Sequence, residues 1–427
     1  MKQLPRAIGL CAARRPVFSA RTPTMISSLS SVPRGACAPK PIRPEIGNAA
    51  DAMDGETPPG LVDVGEVELM EGGDSDSEAE DDEIKDSDAV FLSGRTEEDF
   101  SCLEMHVYDA EAGTLYVHHD VTLPAFPLAV EWCTMGTGGA ADSFAAVGTF
   151  EPVIEIWDLD VMDPMEPVMS LGAKPRAEKK KKKKKQQQQQ EASKPELADG
   201  SHADAVMSLS WARHSPTVLA SGSADKTVKL WDLHAGVCAM TLSHHADKVA
   251  AVAWHGAELA VLLTGSDDGT LAVRDARAET VGASFAVGAK VEAACWDPST
   301  PTTALAAGED GALVAFDIRS AAAPLWTFSP HGGKGVPAVA FSKSYRGLLA
   351  TGSVDGTVAL WDAAAGAPTP VASKALAVGQ IYALAFDAGP GGATIAAGGS
   401  GGSLALWDAQ EDDARVAAWW VEGDRAM

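Results

Sequence analysis

The sequence predicts an all-β fold: a seven-bladed β-propeller with a disordered N-terminal extension, an acidic loop and a Lys/Gln-rich insertion between blades. Three observations lead there. First, an aromatic residue followed by Asp recurs at Tyr108-Asp109, Trp157-Asp158, Trp231-Asp232, Phe316-Asp317, Trp361-Asp362 and Trp407-Asp408, with Arg274-Asp275 in the same rhythm. Second, from Trp231 onward these positions (231, 274, 316, 361 and 407) lie 43, 42, 45 and 46 residues apart. That is the length of one four-stranded blade. Third, Trp132, Trp211, Trp254, Trp296, Phe341 and Phe386 run in phase with the first series, each closing a short apolar run.

Within one repeat the strands can be laid out in order. Val206 to Trp211 alternates apolar residues and reads as the inner strand. Val218 to Ser223 is the second strand, Thr227 to Trp231 the third and Cys238 to Leu242 the fourth, with Gly- and Asp-containing turns between them. A single blade buries little, so neighbours must stack to make a core. Seven blades then require an inner strand ahead of Tyr108, and Met25-Ile-Ser-Ser-Leu-Ser-Ser-Val32 has that form, with Ser31 where other repeats carry Trp.

Polar positions recur too. Asp225, Asp268, Asp310 and Asp355 each lie six residues before the third-strand position of their repeat. The pattern resembles the WD-repeat family. That resemblance implies a buried network joining His, Ser or Thr, Asp and Trp. The full set is expected only for the repeat ending at Trp231: His202, Ser221 or Ser223, Asp225 and Trp231. His245 with Asp268 offers a partial set, and Asp310, Asp355 and Trp361 are further members. A hydrolytic triad is the wrong reading, because the set recurs in fragments whereas a triad occurs once beside an oxyanion hole. Cys102, Glu151 and Gly401 replace the Asp in three repeats, which should be less tightly cross-linked.

The net charge is −25, from 34 basic and 59 acidic residues. General attraction to nucleic acid is therefore not expected, and any nucleic-acid association should be indirect. A basic protein partner, a histone or a ribosomal protein, suits the charge. The six cysteines form no Cys-x-x-Cys pair and no His cluster completes a metal site. Nothing points to a catalytic residue, a cofactor, a small-molecule substrate or a membrane span.

Three segments fall outside the repeat. Residues 1–44 hold no Asp or Glu and resemble an organelle transit peptide. The preferred reading is that Met25 opens the first strand and residues 1–24 are a disordered extension. Residues 45–87 form an acidic insertion expected to be disordered, in which Ser75 and Ser77 each precede an acid by three positions, as an acid-directed kinase requires. Residues 173–199 are a second insertion. It carries Lys179, Lys180, Lys181, Lys182, Lys183, Lys184 and Lys185 followed by five glutamines, and reads as a nuclear-import or nucleolar signal. The propeller spans 25–410, and 411–427 are read as a closing strand and tail.

The stretches Ile84-Lys-Asp-Ser-Asp-Ala-Val-Phe-Leu-Ser-Gly-Arg95, Leu103-Glu-Met-His-Val-Tyr-Asp109, Tyr116-Val-His-His-Asp120 and Pro127-Leu-Ala-Val-Glu-Trp132 are more specific than any Trp-Asp repeat. They resemble the periodic tryptophan protein 1 family, as do Pro152-Val-Ile-Glu-Ile-Trp-Asp-Leu-Asp160 and the opening at Met25. The resemblance implies a non-enzymatic nuclear and nucleolar scaffold in ribosome biogenesis, monomeric within larger complexes. It would act through ribosomal-DNA chromatin or large-subunit precursors. An alternative is a substrate receptor of a cullin ubiquitin ligase. Phe316-Asp-Ile-Arg319 and Arg274-Asp-Ala-Arg277 resemble the Trp-Asp-x-Arg motif of such receptors, with Arg277 and Arg319 as adaptor contacts.

Overall fold

A computed structural model describes residues 24–41, 83–98, 100–135, 143–174, 196–278, 282–320, 323–389 and 394–412. These build seven antiparallel sheets. Blade 1 is β1 (Met25–Val32), β2 (Ala89–Glu97), β3 (Phe100–Asp109) and β4 (Thr114–Leu123). Blade 2 is β5 (Pro127–Cys133), β6 (Phe144–Thr149), β7 (Ile154–Asp158) and β8 (Met169–Leu171). Blade 3 is β9 (Val206–Trp211), β10 (Val218–Ser223), β11 (Val228–Asp232) and β12 (Val237–Leu242). Blade 4 follows as β13 (Val249–Trp254), β14 (Val261–Ser266), β15 (Thr270–Asp275) and β16 (Ser284–Ala286). Blade 5 is β17 (Val291–Trp296), β18 (Thr303–Gly308), β19 (Leu313–Asp317) and β20 (Trp326–Phe328). Blade 6 is β21 (Ala338–Phe341), β22 (Leu348–Gly352), β23 (Thr357–Asp362) and β24 (Thr369–Ala375). Blade 7 shows three strands among the described residues, β25 (Ile381–Phe386), β26 (Thr394–Gly399) and β27 (Leu404–Asp408). The chain is therefore a seven-bladed propeller.

The strand at Met25–Val32 pairs with β2 in register from Met25 opposite Thr96 to Val32 opposite Val90. Its role as an inner strand is visible in how neighbouring inner strands are laced. The Trp132 amide donates to Ser30 Oγ (3.2 Å), the Trp211 amide to Glu131 Oε1 (3.4 Å) and the Trp254 amide to Ser210 Oγ (3.1 Å). In each case the acceptor stands one residue before the aromatic position, so Ser31 occupies the site of an absent Trp.

Six of the seven blades, all but blade 5, pack against the next through a glycine in the second strand. A Cβ on Gly148 would lie 2.8 Å from Val206 Cγ1, and one on Gly398 would lie 2.4 Å from Ile26 Cγ2. The second contact closes the ring, because Ile26 sits on the first blade and Gly398 on the last. Ile26 is fully buried there.

Both insertions are narrower than the sequence reading set them. Of the acidic segment read as disordered over 45–87, residues 83–87 are ordered: Ile84 is buried, and its amide donates to Pro39 O at 2.9 Å. On the other side of that loop the Ala38 amide donates to Asp160 Oδ1 (2.7 Å), which ties the loop base to blade 2. At the Lys-rich insertion, Ala173 bridges Leu197, and Lys174 Nζ reaches Glu196 Oε1 (2.6 Å), so the insertion starts and ends on a short ladder. An apolar residue or backbone pair at each base overrides the local polar composition. Residues 411 and 412, read as the start of a closing strand, lie instead in a one-turn helix, α1 (Ala409–Asp412); 413–427 fall outside the described residues.

Candidate functional site

The His–Ser–Asp–Trp set of blade 3 forms a closed network. His202 Nδ1 faces Asp225 Oδ2 (2.9 Å), His202 Nε2 faces Ser221 Oγ (2.7 Å), and Trp231 Nε1 donates to Ser221 Oγ (2.8 Å). The Ala203 amide (2.9 Å) and Thr227 Oγ1 (2.6 Å) also donate to Asp225. Burial opposes ionisation of Asp225. The donors from His202, Thr227 and Ala203 outweigh it and hold the carboxyl well below the usual carboxylate range. Although the order of atoms is that of a hydrolytic triad, Ser221 and His202 are both fully buried, and the hydroxyl is consumed by His202 and Trp231. The chemistry available is cross-linking of strands.

Blade 4 repeats the set without the Trp: His245 faces Asp268 (3.1 Å) and Thr264 (2.8 Å). Burial again opposes ionisation, while Thr270, the Ala246 amide and His245 hold Asp268 down to about 2. Two corrections concern the other members. Blade 6 is a complete set that the spacing concealed. His331 contacts Thr351 (2.9 Å) and Thr357 (3.1 Å), its Nδ1 lies 3.6 Å from Asp355, and Trp361 Nε1 donates to Thr351 (2.9 Å). His331 is 24 residues before its Asp rather than 23, because the intervening loop is one residue longer. Asp310 joins no such network; it caps its own turn by accepting from the Ala312 amide (3.0 Å). In that blade Val287, Ala306 and Phe316 stand at the His, Ser/Thr and Trp positions and pack into one apolar cluster. Replacing every partner together leaves no orphan.

The blades lacking the Asp differ among themselves. Blade 1 is cross-linked another way. Ser93 Oγ meets His106 Nε2 (2.9 Å), His106 meets Glu104 (3.2 Å), and Arg95 donates to Glu104 (2.7 Å). The weaker linking expected from Cys102 is thus corrected by a charged group two residues on. In blade 2 the Trp157 indole donates to Glu155 (3.3 Å). In blade 7 the buried Trp407 Nε1 has no partner among the described residues.

A cavity of about 180 Å³ opens beside Ser31, lined by Glu131, Trp132, Arg213, Lys343 and Asp387 among others. Lys343 is solvent-exposed at this opening; crowding by the surrounding strand ends and the nearby Arg213 lower its pKa, against the pull of Glu131. Burial raises Glu131, opposed by Lys343 and Arg213. Arg34 pairs with Asp387, joining the end of β1 to the end of β25. Glu131, Arg213, Lys343 and Asp387 thus set charges of both signs around this opening. No signal in the linear sequence brought these residues together, since they come from blades far apart in the chain.

Other expected sites are placed less informatively. Lys179–Lys185, Ser75 and Ser77 lie outside the described residues. Arg277 and Arg319 are exposed, and each forks onto its own turn Asp, Asp275 (2.9 Å) and Asp317 (2.7 Å). That pairing engages one edge of each guanidinium, through Nε and one Nη. Burial pushes the thiols of Cys37 and Cys102 up to about 11 and about 12. Among the described residues no group of three His, Cys, Asp or Glu could hold a metal, and no helix is long and apolar enough to cross a membrane.

A family model described as WD domain, G-beta repeat, matches residues 196–232, 236–275 and 322–362. An uncharacterized WD repeat-containing protein of Schizosaccharomyces pombe is 40% identical, covering 78% of this chain and 63% of its own. The Periodic tryptophan protein 1 homolog of Drosophila melanogaster is 35% identical over 71% of this chain and 63% of its own. Periodic tryptophan protein 1 of Saccharomyces cerevisiae is 33% identical over 85% of this chain and 73% of its own. The chain thus spans just under two thirds of the first two relatives. A chain in the crystal structure of the mitotic checkpoint complex superposes with a TM-score of 0.55 at 18% identity, covering 75% of this chain and 83% of that one. At that identity the likeness shows the fold alone.

Proposed function

The chain belongs to the periodic tryptophan protein 1 family, and from that premise we propose that it is a non-enzymatic nuclear and nucleolar scaffold in ribosome biogenesis. As a WD-repeat protein it offers an interaction platform; the finer reading concerns where and on what. The observation that carries it is the match to the budding-yeast protein, over 85% of this chain. Two features of the molecule support it. The triad-like residues are consumed as cross-links between strands, which leaves them no part in catalysis. The charge of −25 favours basic partners, such as ribosomal or pre-ribosomal proteins or histones. Contact with ribosomal DNA or precursor RNA would then be indirect, and the seven lysines at 179–185 would direct the protein to the nucleolus.

Sedimentation of the tagged full chain through a sucrose gradient tests the reading. Co-migration with large-subunit precursors or with nucleolar chromatin is expected. Sedimentation only as a free monomer, with pre-ribosomal RNA levels unchanged on depletion, would overturn it.

A further inference from the structure

One blade departs from its neighbours at the position that defines the repeat. In blade 3 the indole of Trp231 is almost fully buried, lies against Gly172 beyond the preceding blade's outer strand, and donates to Ser221. In blade 4 that position is Arg274, which is only 4% exposed. The groove a Trp would fill is a cavity of about 420 Å³ between β12 and blade 4, lined by Thr241, Ser243, His244, His245, Arg274 and Ser284 among others. That volume falls in the range of small-ligand pockets.

The polar groups of this cavity are built around an incomplete set of bonds. His245 Nδ1 faces the ionised Asp268 and so carries the proton, which leaves Nε2 to accept from Thr264 Oγ1 (2.8 Å). The Thr264 oxygen then accepts from His244 Nε2 (2.9 Å), the bond an indole makes in blade 3. His244 Nδ1 is thereby a bare acceptor. It is buried and has no partner, and Arg274 Nε is a buried donor with none. No carboxylate among the described residues lies within ion-pair distance of Arg274. A second buried cation, Lys229, donates to Thr241 Oγ1 at the same groove (2.9 Å). In a chain of net charge −25 this is a local excess of positive charge. Orphaned buried polar groups of opposite hydrogen-bonding sense, side by side, call for a ligand that carries both an anionic oxygen and a proton.

We propose that the blade-4 cavity binds a phosphomonoester, with the Arg274 guanidinium on the phosphoryl oxygens and His244 Nδ1 accepting from the P–O–H group. A planar guanidinium suits a phosphoryl group, on which it can place two parallel donors. A carboxylate fits less well, because near neutral pH it has no proton for His244. A phosphomonoester, whose second ionisation lies near pH 6, retains one in part of its population. The cavity exceeds one phosphoryl group, so the group arrives on a carrier, either a phosphorylated side chain of a partner or a small phosphorylated molecule. The proposal does not depend on the ribosome-biogenesis reading.

Calorimetric titration of the full chain tests it, using O-phosphoserine, a phosphoserine peptide, serine and glutamate as probes. Saturable binding of a phosphorylated probe is expected, at least tenfold tighter than glutamate, with none for serine. Equal affinity for O-phosphoserine and the peptide indicates a soluble source; binding of the peptide alone indicates a partner side chain. The double variant Arg274→Trp/His244→Ser recreates blade 3, where Ser201 precedes His202, and should stay folded by circular dichroism while losing binding at least tenfold. Arg274→Lys keeps the charge without the fork and should weaken binding several-fold. No binding of either phosphorylated probe, glutamate binding as tightly, or unchanged affinity in the folded double variant would each overturn the proposal.

Discussion

A buried indole needs an acceptor, and the chain supplies one ten residues earlier in blades 3 and 6, at Ser221 and Thr351, but an alanine, Ala397, in blade 7. Trp407 Nε1 is left without a partner among the described residues. Ala397→Ser should therefore raise stability by about 1 kcal/mol, seen as a higher denaturant midpoint at unchanged slope. The two aspartates at the same repeat position make a sharper contrast. Asp225→Ala strips His202, Thr227 and the Ala203 amide of a buried acceptor and should cost about 3 kcal/mol. Asp310→Ala removes a turn acceptor only and should cost under about 1 kcal/mol. Asp225 and Asp268 also set an acid limit. Their folded carboxyls are depressed, Asp268 to about 2, so the unfolded chain takes up protons that the folded chain refuses. Their contribution is complete above about pH 4, near the unfolded value, and falls away toward pH 2. A thermal melt across that window should show a steeper loss for the parent than for Asp225→Ala. Asp225 and Asp310 are indistinguishable by their spacing to the third strand; the His upstream of one and the Val upstream of the other separate them.

Strands and blades were legible because their cause is periodic. Alternating burial and the turn residues mark β9 to β12 within a residue or so of where they lie. The lone inner strand at Met25–Val32 was legible from the demand that seven blades close. The packing glycine in the second strand of every blade but blade 5 was not, because one Gly in a strand gives no sign of which side chain will approach it. Gly398 does its work against Ile26, across the whole length of the chain. Closure makes that pair a test. Gly398→Ala should cost about 2 kcal/mol by overpacking, and Ile26→Ala about 3 kcal/mol by leaving a cavity. The double variant should cost less than the sum by more than about 0.5 kcal/mol, since the new methyl enters the space vacated. Additive costs in denaturant titrations would mean that the two blades do not meet. The insertion bases were misjudged for a related reason: Ile84 and Ala173 are single residues whose tertiary contacts outweigh the polar runs beside them.

At the scale of the molecule, the repeat specifies a ring, and the proposed function draws on what interrupts it. The family was legible in residues 84–160, where the repeat is least regular. The blade-4 cavity was only half legible: Arg274 was plainly out of pattern, but its pairing with His244 depends on a register that only the folded blades show. Replacing Lys179–Lys185 with glutamine should shift a tagged chain from the nucleolus to a diffuse distribution; unchanged accumulation would remove that role from the lysines. The scaffold itself makes a broader demand. Quantitative mass spectrometry of proteins recovered with the tagged full chain, washed at rising salt, tests it most directly. The account predicts enrichment of basic ribosomal, pre-ribosomal or histone proteins, released progressively as screening increases. Recovery of a cullin-ligase adaptor as the chief partner, with no enrichment of basic proteins at any salt, would contradict it.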